Sequence, residues 1–104
     1  MSGNMPEPLP IQFTERARVE LTEAITWYDQ QGEGLGNDFL REFKKAVTRI
    51  RDFPNAWQTL SARSRRCRLS RFPYGILYQV TPQRILVVAV GHLHRHPDYW
   101  KSRE

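Results

Sequence analysis

Apolar residues recur every three or four positions in the first half of the chain, which predicts two amphipathic helices. Thr14 is the expected N-cap of the first helix, and its apolar stripe runs from Ala17 to Tyr28. Val19 lies opposite that stripe and is expected to be exposed, whereas Trp27 flanks it and is expected to be half-buried against the second helix. Three glycines between positions 32 and 36 end the first helix near residue 31.

The second helix has the clearer stripe, and its polar positions, Glu42 among them, are expected to face solvent. The stripe consists of Phe39, Phe43, Ala46, Val47 and Ile50. The helix ends at the Asp52-Phe53-Pro54 segment, because proline removes a backbone donor and restricts the residue before it. The glycine-rich turn between the two helices predicts an antiparallel helix hairpin.

In the other segments the apolar residues alternate with a period of two, the pattern of strands. A strand over residues 9–13 precedes the helices, and Pro10 places it at a sheet edge or lies in the first turn of the strand. After a polar connection, further strands are predicted over residues 65–69, 75–80 and 85–93, the last of them central because it is apolar on both faces. The predicted fold class is α+β: a strand, an antiparallel helix hairpin and a three-stranded antiparallel meander, with the hairpin packed on one face of the sheet.

Length and composition narrow the class of protein further. The 104 residues allow one domain, expected over residues 9–104 behind a flexible tail at residues 1–8. The longest apolar run has six residues, far short of the ~20 that a membrane-spanning helix needs. The single cysteine, Cys67, excludes an internal disulfide and favours a reducing, cytoplasmic location. A net charge of +5 favours polyanions or an acidic protein partner.

Five arginines are concentrated within nine residues of the predicted sheet: Arg63, Arg65, Arg66, Arg68 and Arg71. If Cys67 and Leu69 face the helices, Arg66 and Arg68 project from the opposite, uncovered face of the sheet. Guanidinium groups bind phosphate or carboxylate in bidentate fashion, so this pair suits RNA or an acidic peptide. An edge strand whose charged side chains prevent pairing with another chain has the same pattern. Both interpretations, a binding surface and a protected edge, remain open at this point.

Three histidines follow at alternate positions, His92, His94 and His96. Zinc ligands must all lie within about 2.1 Å of the ion, whereas a straight strand spreads these side chains over roughly 13 Å. No metal or other cofactor is therefore predicted. Acid–base or phosphate-contacting chemistry at the end of the strand is one interpretation, and a polar rim is the other. Of the aromatic residues that follow, Trp100 is expected to close the core, and Tyr99 either closes the core or binds a partner.

Four short segments carry a characteristic combination of residues. They are Ala-Ile-Thr-Trp-Tyr at 24–28, Gly-Leu-Gly-Asn-Asp-Phe at 34–39, Phe-Pro-Tyr-Gly-Ile-Leu-Tyr at 72–78 and Gly-His-Leu-His-Arg-His-Pro-Asp-Tyr-Trp at 91–100. Together they resemble the RelE/ParE superfamily of bacterial toxins, over about residues 11–103. The resemblance implies a toxin of a type II toxin–antitoxin pair, held inactive by a cognate antitoxin that we expect to be acidic and partly disordered.

The superfamily implies two classes of target. RelE-like members are metal-independent endoribonucleases that cut mRNA in the ribosomal A site, and ParE-like members bind and inhibit DNA gyrase without cleaving a substrate. In the ribonuclease interpretation the catalytic residues would be Arg66, Arg68, His94 and Tyr99. In either interpretation, target or antitoxin binding would involve Arg65, Arg71, His92, Arg95, His96 and Trp100.

One departure from the ribonuclease pattern favours the gyrase interpretation. The last strand continues through His92 and Leu93, where ribonuclease members tend to place lysine and then arginine. A leucine cannot stabilise the charge that develops on a phosphate during cleavage. A non-toxic basic interaction module is a further alternative.

Overall fold

The computed structural model describes residues 8–104 and contains two helices and a five-stranded sheet. In chain order the elements are β1 (Ile11–Phe13), α1 (Glu15–Gln31), α2 (Leu35–Asp52), β2 (Gln58–Thr59), β3 (Ser64–Arg68), β4 (Tyr74–Val80), β5 (Ile85–His92) and a 3-10 turn (Lys101–Arg103). The α+β class and the helix hairpin are confirmed. The predicted tail, except for its last residue, lies outside the described residues. Within the described range, neither helix combines the length and apolar content needed to cross a membrane.

The strand order in the sheet is β1-β5-β4-β3-β2, with β1 parallel to β5 and every other pair antiparallel. β1 is an edge strand and β5 is central, as predicted. The predicted three-stranded meander gains a fourth member, β2, in the segment expected to be a polar connection. β2 has only two residues, which is too short for an alternating pattern in the sequence. It is a strand because Gln58 pairs with Arg66 of β3.

The helix hairpin and one face of the sheet enclose the main core. Thr14 caps α1 by accepting the Ala17 N–H at 3.1 Å, as predicted. The α2 stripe is buried at Phe39, Phe43, Ala46 and Ile50, and it packs on sheet residues that include Cys67, Ile76, Tyr78 and Val87. The buried Tyr78 hydroxyl donates to the Pro54 carbonyl at 2.7 Å, and burial raises the pKa of Tyr78 to about 12.

The opposite face of the sheet was predicted to be uncovered, and this is wrong. The residues after β5 fold back across it and form a second apolar cluster of Leu77, Val88, Ala89 and Trp100. Trp100 is 5% exposed, which confirms its predicted role in closing a core. The alternation along β3 assigns residues to the two faces, but it carries no information about which segment covers each face.

Two side chains on the helices differ from the prediction. Trp27 is 52% exposed, which is half-buried as predicted, but it does not pack on α2, because α2 meets the side of α1 that carries Asp29, whose carboxylate accepts the Gly36 N–H at 2.8 Å. Residues two positions apart on a helix lie on nearly opposite sides of it, so Trp27 points away from α2. Glu42 is only 5% exposed and lies between Lys45 and Arg71, at 3.6 and 3.7 Å.

Candidate functional site

The pleat of β3 determines which arginines reach the second face. Cys67 is 1% exposed in the main core and pairs with Ile76 of β4, whereas Arg66 pairs with Leu77 of the second apolar cluster. Arg66 and Arg68 therefore project from the face opposite the helices, as the sequence predicted. Burial raises the pKa of the Cys67 thiol, which fits the inert role expected for it.

The other arginines of the cluster lie apart from Arg66. Arg65 has the opposite parity on β3 and donates to the Trp57 carbonyl at 2.8 Å. Arg71 occupies a left-handed turn conformation with φ 71° and lies 3.7 Å from Glu42. Arg68 is exposed near the end of β3. The five arginines thus form no single surface.

A cleft of about 570 Å³ opens between Arg66 and the residues that follow β5. We call it the C-terminal cleft. It brings together six of the predicted site residues, namely Arg66, His92, His94, Arg95, Tyr99 and Trp100. Arg65, Arg68, Arg71 and His96 do not line it. Of the residues proposed to be catalytic in a ribonuclease, Arg68 is therefore separated from the other three.

Arg66 forms one wall of the C-terminal cleft. Its side chain lies across Gly75, where an added Cβ would be 2.8 Å from the arginine Cδ, and it donates to Gln58 Oε1 at 2.9 Å. Its Nε is buried and has no acceptor among residues 8–104. Because this Nε is buried, any contact of Arg66 with a partner falls to the terminal nitrogens of the guanidinium.

The three histidines do not share a strand face, because β5 ends at His92. His92 Nδ1 accepts the N–H of His94 at 3.0 Å, and His96 Nδ1 accepts the N–H of Asp98 at 3.2 Å. Both rings therefore hold turns of the chain, and Nε2 carries the proton of each neutral ring. Over residues 8–104 no three histidine, cysteine or carboxylate side chains converge as metal ligands.

Tyr99 is packed so closely over Gly91 that an added Cβ there would lie 1.9 Å from the tyrosine hydroxyl oxygen. The guanidinium carbons of Arg95 and Arg103 lie 4.1 and 5.4 Å from its ring centroid. Burial raises the pKa of Tyr99, and the charge of Glu20 raises it further. The phenol therefore keeps its proton at neutral pH.

Glu20 on α1 is the residue that sequence reasoning missed. Its carboxylate accepts the Val90 N–H at 3.0 Å, Arg95 Nη1 at 2.8 Å, and both Nη atoms of Arg103 at 2.8 and 2.9 Å. Burial opposes ionisation, but the hydrogen bonds and the arginine charges hold the pKa of Glu20 below its ordinary value.

Glu20 and Arg103 together close the edge of β5. β1 pairs with β5 only as far as Val87. Beyond that point Glu20 binds the Val90 N–H, and Arg103 Nη1 donates to the Val88 carbonyl at 3.2 Å. Two side chains thus replace a missing strand and fix the segment that forms the C-terminal cleft.

The comparisons with known proteins agree with this architecture. A family model described as the ParE toxin of the type II toxin-antitoxin system, parDE, matches residues 11–97. A comparison with curated protein sequences finds no match. Among solved structures, the fold is similar to a chain described as the chromosomal ParDE TA system from P. aeruginosa, with a TM-score of 0.61. The two sequences are 13% identical, and the match covers 81% of this chain and 95% of that chain.

Proposed function

The chain belongs to the ParE toxin family of type II toxin–antitoxin systems, and from that premise we propose that it inhibits DNA gyrase by binding it. Membership of the family implies a cognate antitoxin as partner. In this proposal the C-terminal cleft contacts the target, and the toxin itself makes and breaks no covalent bond.

The placement of Tyr99 is the observation that carries the proposal. Cleavage of RNA through its 2′-hydroxyl needs a base whose pKa lies near the working pH. The Tyr99 hydroxyl is held over Gly91, and its pKa is raised, so it is a poor base. The neighbouring Arg95 and Arg103 are both bound to Glu20, which reduces the charge available to stabilise a phosphorane.

Charge supports a protein target with acidic side chains. Arg66 and Lys101 line the C-terminal cleft; the Arg66 guanidinium donates to Gln58 Oε1, and Lys101 lies 3.2 Å from Asp98, which also lines the cleft. A charge-assisted hydrogen bond from Arg66 to a carboxylate would contribute on the order of 1.5–3 kcal/mol to binding. The net charge of +5 would add favourable steering toward an acidic partner.

A ribosome-dependent, metal-independent mRNA endoribonuclease is the second candidate. The observation that favours it is that Arg66, His94 and Tyr99 line the same cleft. His94 would then supply the acid or base that Tyr99 cannot supply, with Arg66 against the scissile phosphate. Arg68 has no part in this arrangement, because it does not line the cleft.

Induced expression in growing cells distinguishes the candidates. Gyrase inhibition predicts that a reporter plasmid loses negative supercoiling while transcripts stay intact. Ribonuclease activity predicts new transcript ends within translated codons. Unaffected growth would leave the third alternative, a non-toxic basic interaction module, and would contradict both toxin mechanisms.

Two matched variants locate the surface. Arg66 and Arg68 project from the same face of β3, but only Arg66 lines the C-terminal cleft. We expect Arg66→Ala to abolish growth arrest and Arg68→Ala to retain it. The reverse result would place the target on the exposed end of β3.

For the antitoxin, we propose an acidic, partly disordered segment that becomes ordered on the toxin. Disordered segments cover large surfaces at modest affinity, and an acidic one complements this basic chain. We propose a cytoplasmic location for the pair, because gyrase and mRNA are both found there and Cys67 is a free thiol.

A further inference from the structure

A second concavity lies on the other side of His92 and Arg95 from the C-terminal cleft. Its volume is about 390 Å³, and it opens between α1 and the adjoining ends of β4 and β5. Four of its ten lining residues carry aromatic rings, namely Trp27, Tyr28, Tyr74 and His92. We call it the aromatic pocket.

The rings of the aromatic pocket form a continuous series. Centroid distances are 4.9 Å from Trp27 to Tyr28, 5.9 Å from Tyr28 to Tyr74 and 5.3 Å from Tyr74 to His92. Trp27 lies at one end of this series and is 52% exposed, so part of its side chain is open to solvent. A group bound in the pocket would contact the Trp27 ring, whereas the Tyr28 ring is stacked on Phe39 of the core at 5.3 Å.

The charges around the aromatic pocket leave one carboxylate free. Glu20 is fully occupied by the Val90 N–H and two arginines. Arg95 lines the pocket, binds Glu20 at 2.8 Å and lies over the Tyr99 ring; because Arg103 shares that carboxylate, the charge of Arg95 is only partly neutralised. Glu23 is exposed at the rim and has no ion pair among residues 8–104.

We propose that the aromatic pocket binds one arginine or lysine side chain of the cognate antitoxin. A cation is attracted to the faces of tryptophan and tyrosine rings, and a free carboxylate at the rim supplies the opposite charge. This inference rests on the toxin–antitoxin pairing in the proposed function, and not on the choice of gyrase as target.

The aromatic pocket adjoins the C-terminal cleft, so an antitoxin bound in the pocket could block the binding of the toxin to its target. His92 and Arg95 line both the pocket and the C-terminal cleft. An antitoxin anchored in the pocket therefore lies at the border of the surface that we assign to the target. Its acidic portions can then extend over Arg66, while a single basic side chain fixes their register.

A titration followed by NMR tests the chemistry of the aromatic pocket directly. The probe is N-acetyl-L-arginine N-methylamide, added to the full chain, with the citrulline and phenylalanine analogues as uncharged comparisons. We expect saturable shifts of the Trp27 indole and His92 ring signals. The two uncharged analogues should bind at least about tenfold more weakly than the arginine probe. Equal affinity for either uncharged analogue would overturn the proposal.

Two carboxylate variants provide the matched control. Glu23→Gln removes the free charge at the pocket, and Glu33→Gln removes an exposed charge in the turn between the helices. We expect Glu23→Gln to weaken arginine-probe binding roughly two- to fivefold, and Glu33→Gln to leave it unchanged. Identical affinities of the two variants would contradict the assignment of Glu23.

Antitoxin affinity, measured with purified proteins, tests the biological occupant. Trp27→Ala is expected to weaken antitoxin binding about tenfold or more, whereas Phe53→Ala, at an exposed aromatic residue after α2, leaves it within about twofold. Unchanged binding by a folded Trp27→Ala protein would show that the antitoxin does not use the pocket. Neither measurement involves gyrase. A negative result would therefore contradict the proposal for the aromatic pocket without testing gyrase as the target.

Discussion

The carboxylate of Glu20 accepts hydrogen bonds from both Nη atoms of Arg103, at 2.8 and 2.9 Å, across 83 residues of sequence. The two side chains are 10% and 11% exposed, and the pair joins the first helix to the turn that follows the sheet. Bidentate geometry of this kind gives direction as well as attraction. The shape of the C-terminal cleft therefore depends on a residue of α1 that does not line it.

Removal of the Glu20 carboxylate is expected to destabilise the fold. Glu20→Ala leaves two arginines and the Val90 N–H without their partner, which costs about 2–4 kcal/mol. Urea denaturation measures the loss. Glu23→Ala, an exposed carboxylate one turn further along α1, is the control and should change stability by less than about 0.5 kcal/mol. Equal midpoints for the two variants would contradict the role of Glu20.

The same carboxylate predicts an acid-sensitive contribution to stability. The pKa of Glu20 is lowered from 4.5, because the arginine and backbone hydrogen bonds outweigh the effect of burial. A depressed folded-state pKa means that the contribution is complete above pH 4.5 and is lost as the pH falls through the folded value. The unfolding free energies of wild type and Glu20→Gln should therefore converge on acidification from pH 7. A constant difference across that range would argue against this linkage.

A methyl group at position 91 tests the packing of Tyr99. Gly91→Ala places a Cβ 1.9 Å from the tyrosine hydroxyl oxygen, so the ring must move. We expect a loss of about 1–3 kcal/mol in unfolding free energy. Combined with Tyr99→Ala, the glycine substitution should cost much less, because the clash is absent. Additive losses in this double-mutant cycle would show that the two positions are not in contact.

The main core supplies a prediction that is independent of the functional site. Phe43 is buried in the middle of the α2 stripe, so Phe43→Ala is expected to cost roughly 3–5 kcal/mol, measured by denaturant unfolding. Val19→Ala, on the exposed side of α1, should cost almost nothing. A Phe43→Ala protein of wild-type stability would refute the assigned helix register.

Patterns that are local in sequence predicted their part of the structure well. The capping role of Thr14 and the α2 stripe depend on residues within a few positions of each other. The orientation of Arg66 and Cys67 follows from the period of two along β3. These features need no knowledge of distant segments, because each is determined by helix or strand geometry.

Features that depend on distant partners escaped prediction. β2 exists because Gln58 meets Arg66, and Glu20 acquires its role from Val90, Arg95 and Arg103, which lie 70 to 83 residues away. A lone glutamate in a helix gives no local signal of such contacts. The covering of the second sheet face by Trp100 escaped prediction for the same reason, although the burial of that residue was expected.

We propose that this toxin acts by binding gyrase, and an in vitro supercoiling assay separates that mechanism from every activity that needs a ribosome. The assay contains only purified gyrase, relaxed plasmid, ATP and the folded toxin, with no ribosome or mRNA. We predict inhibition at micromolar toxin or below, weakened about tenfold or more by Arg66→Ala through the loss of one charge-assisted contact. Undiminished supercoiling at micromolar concentrations of folded wild-type protein would contradict the claim.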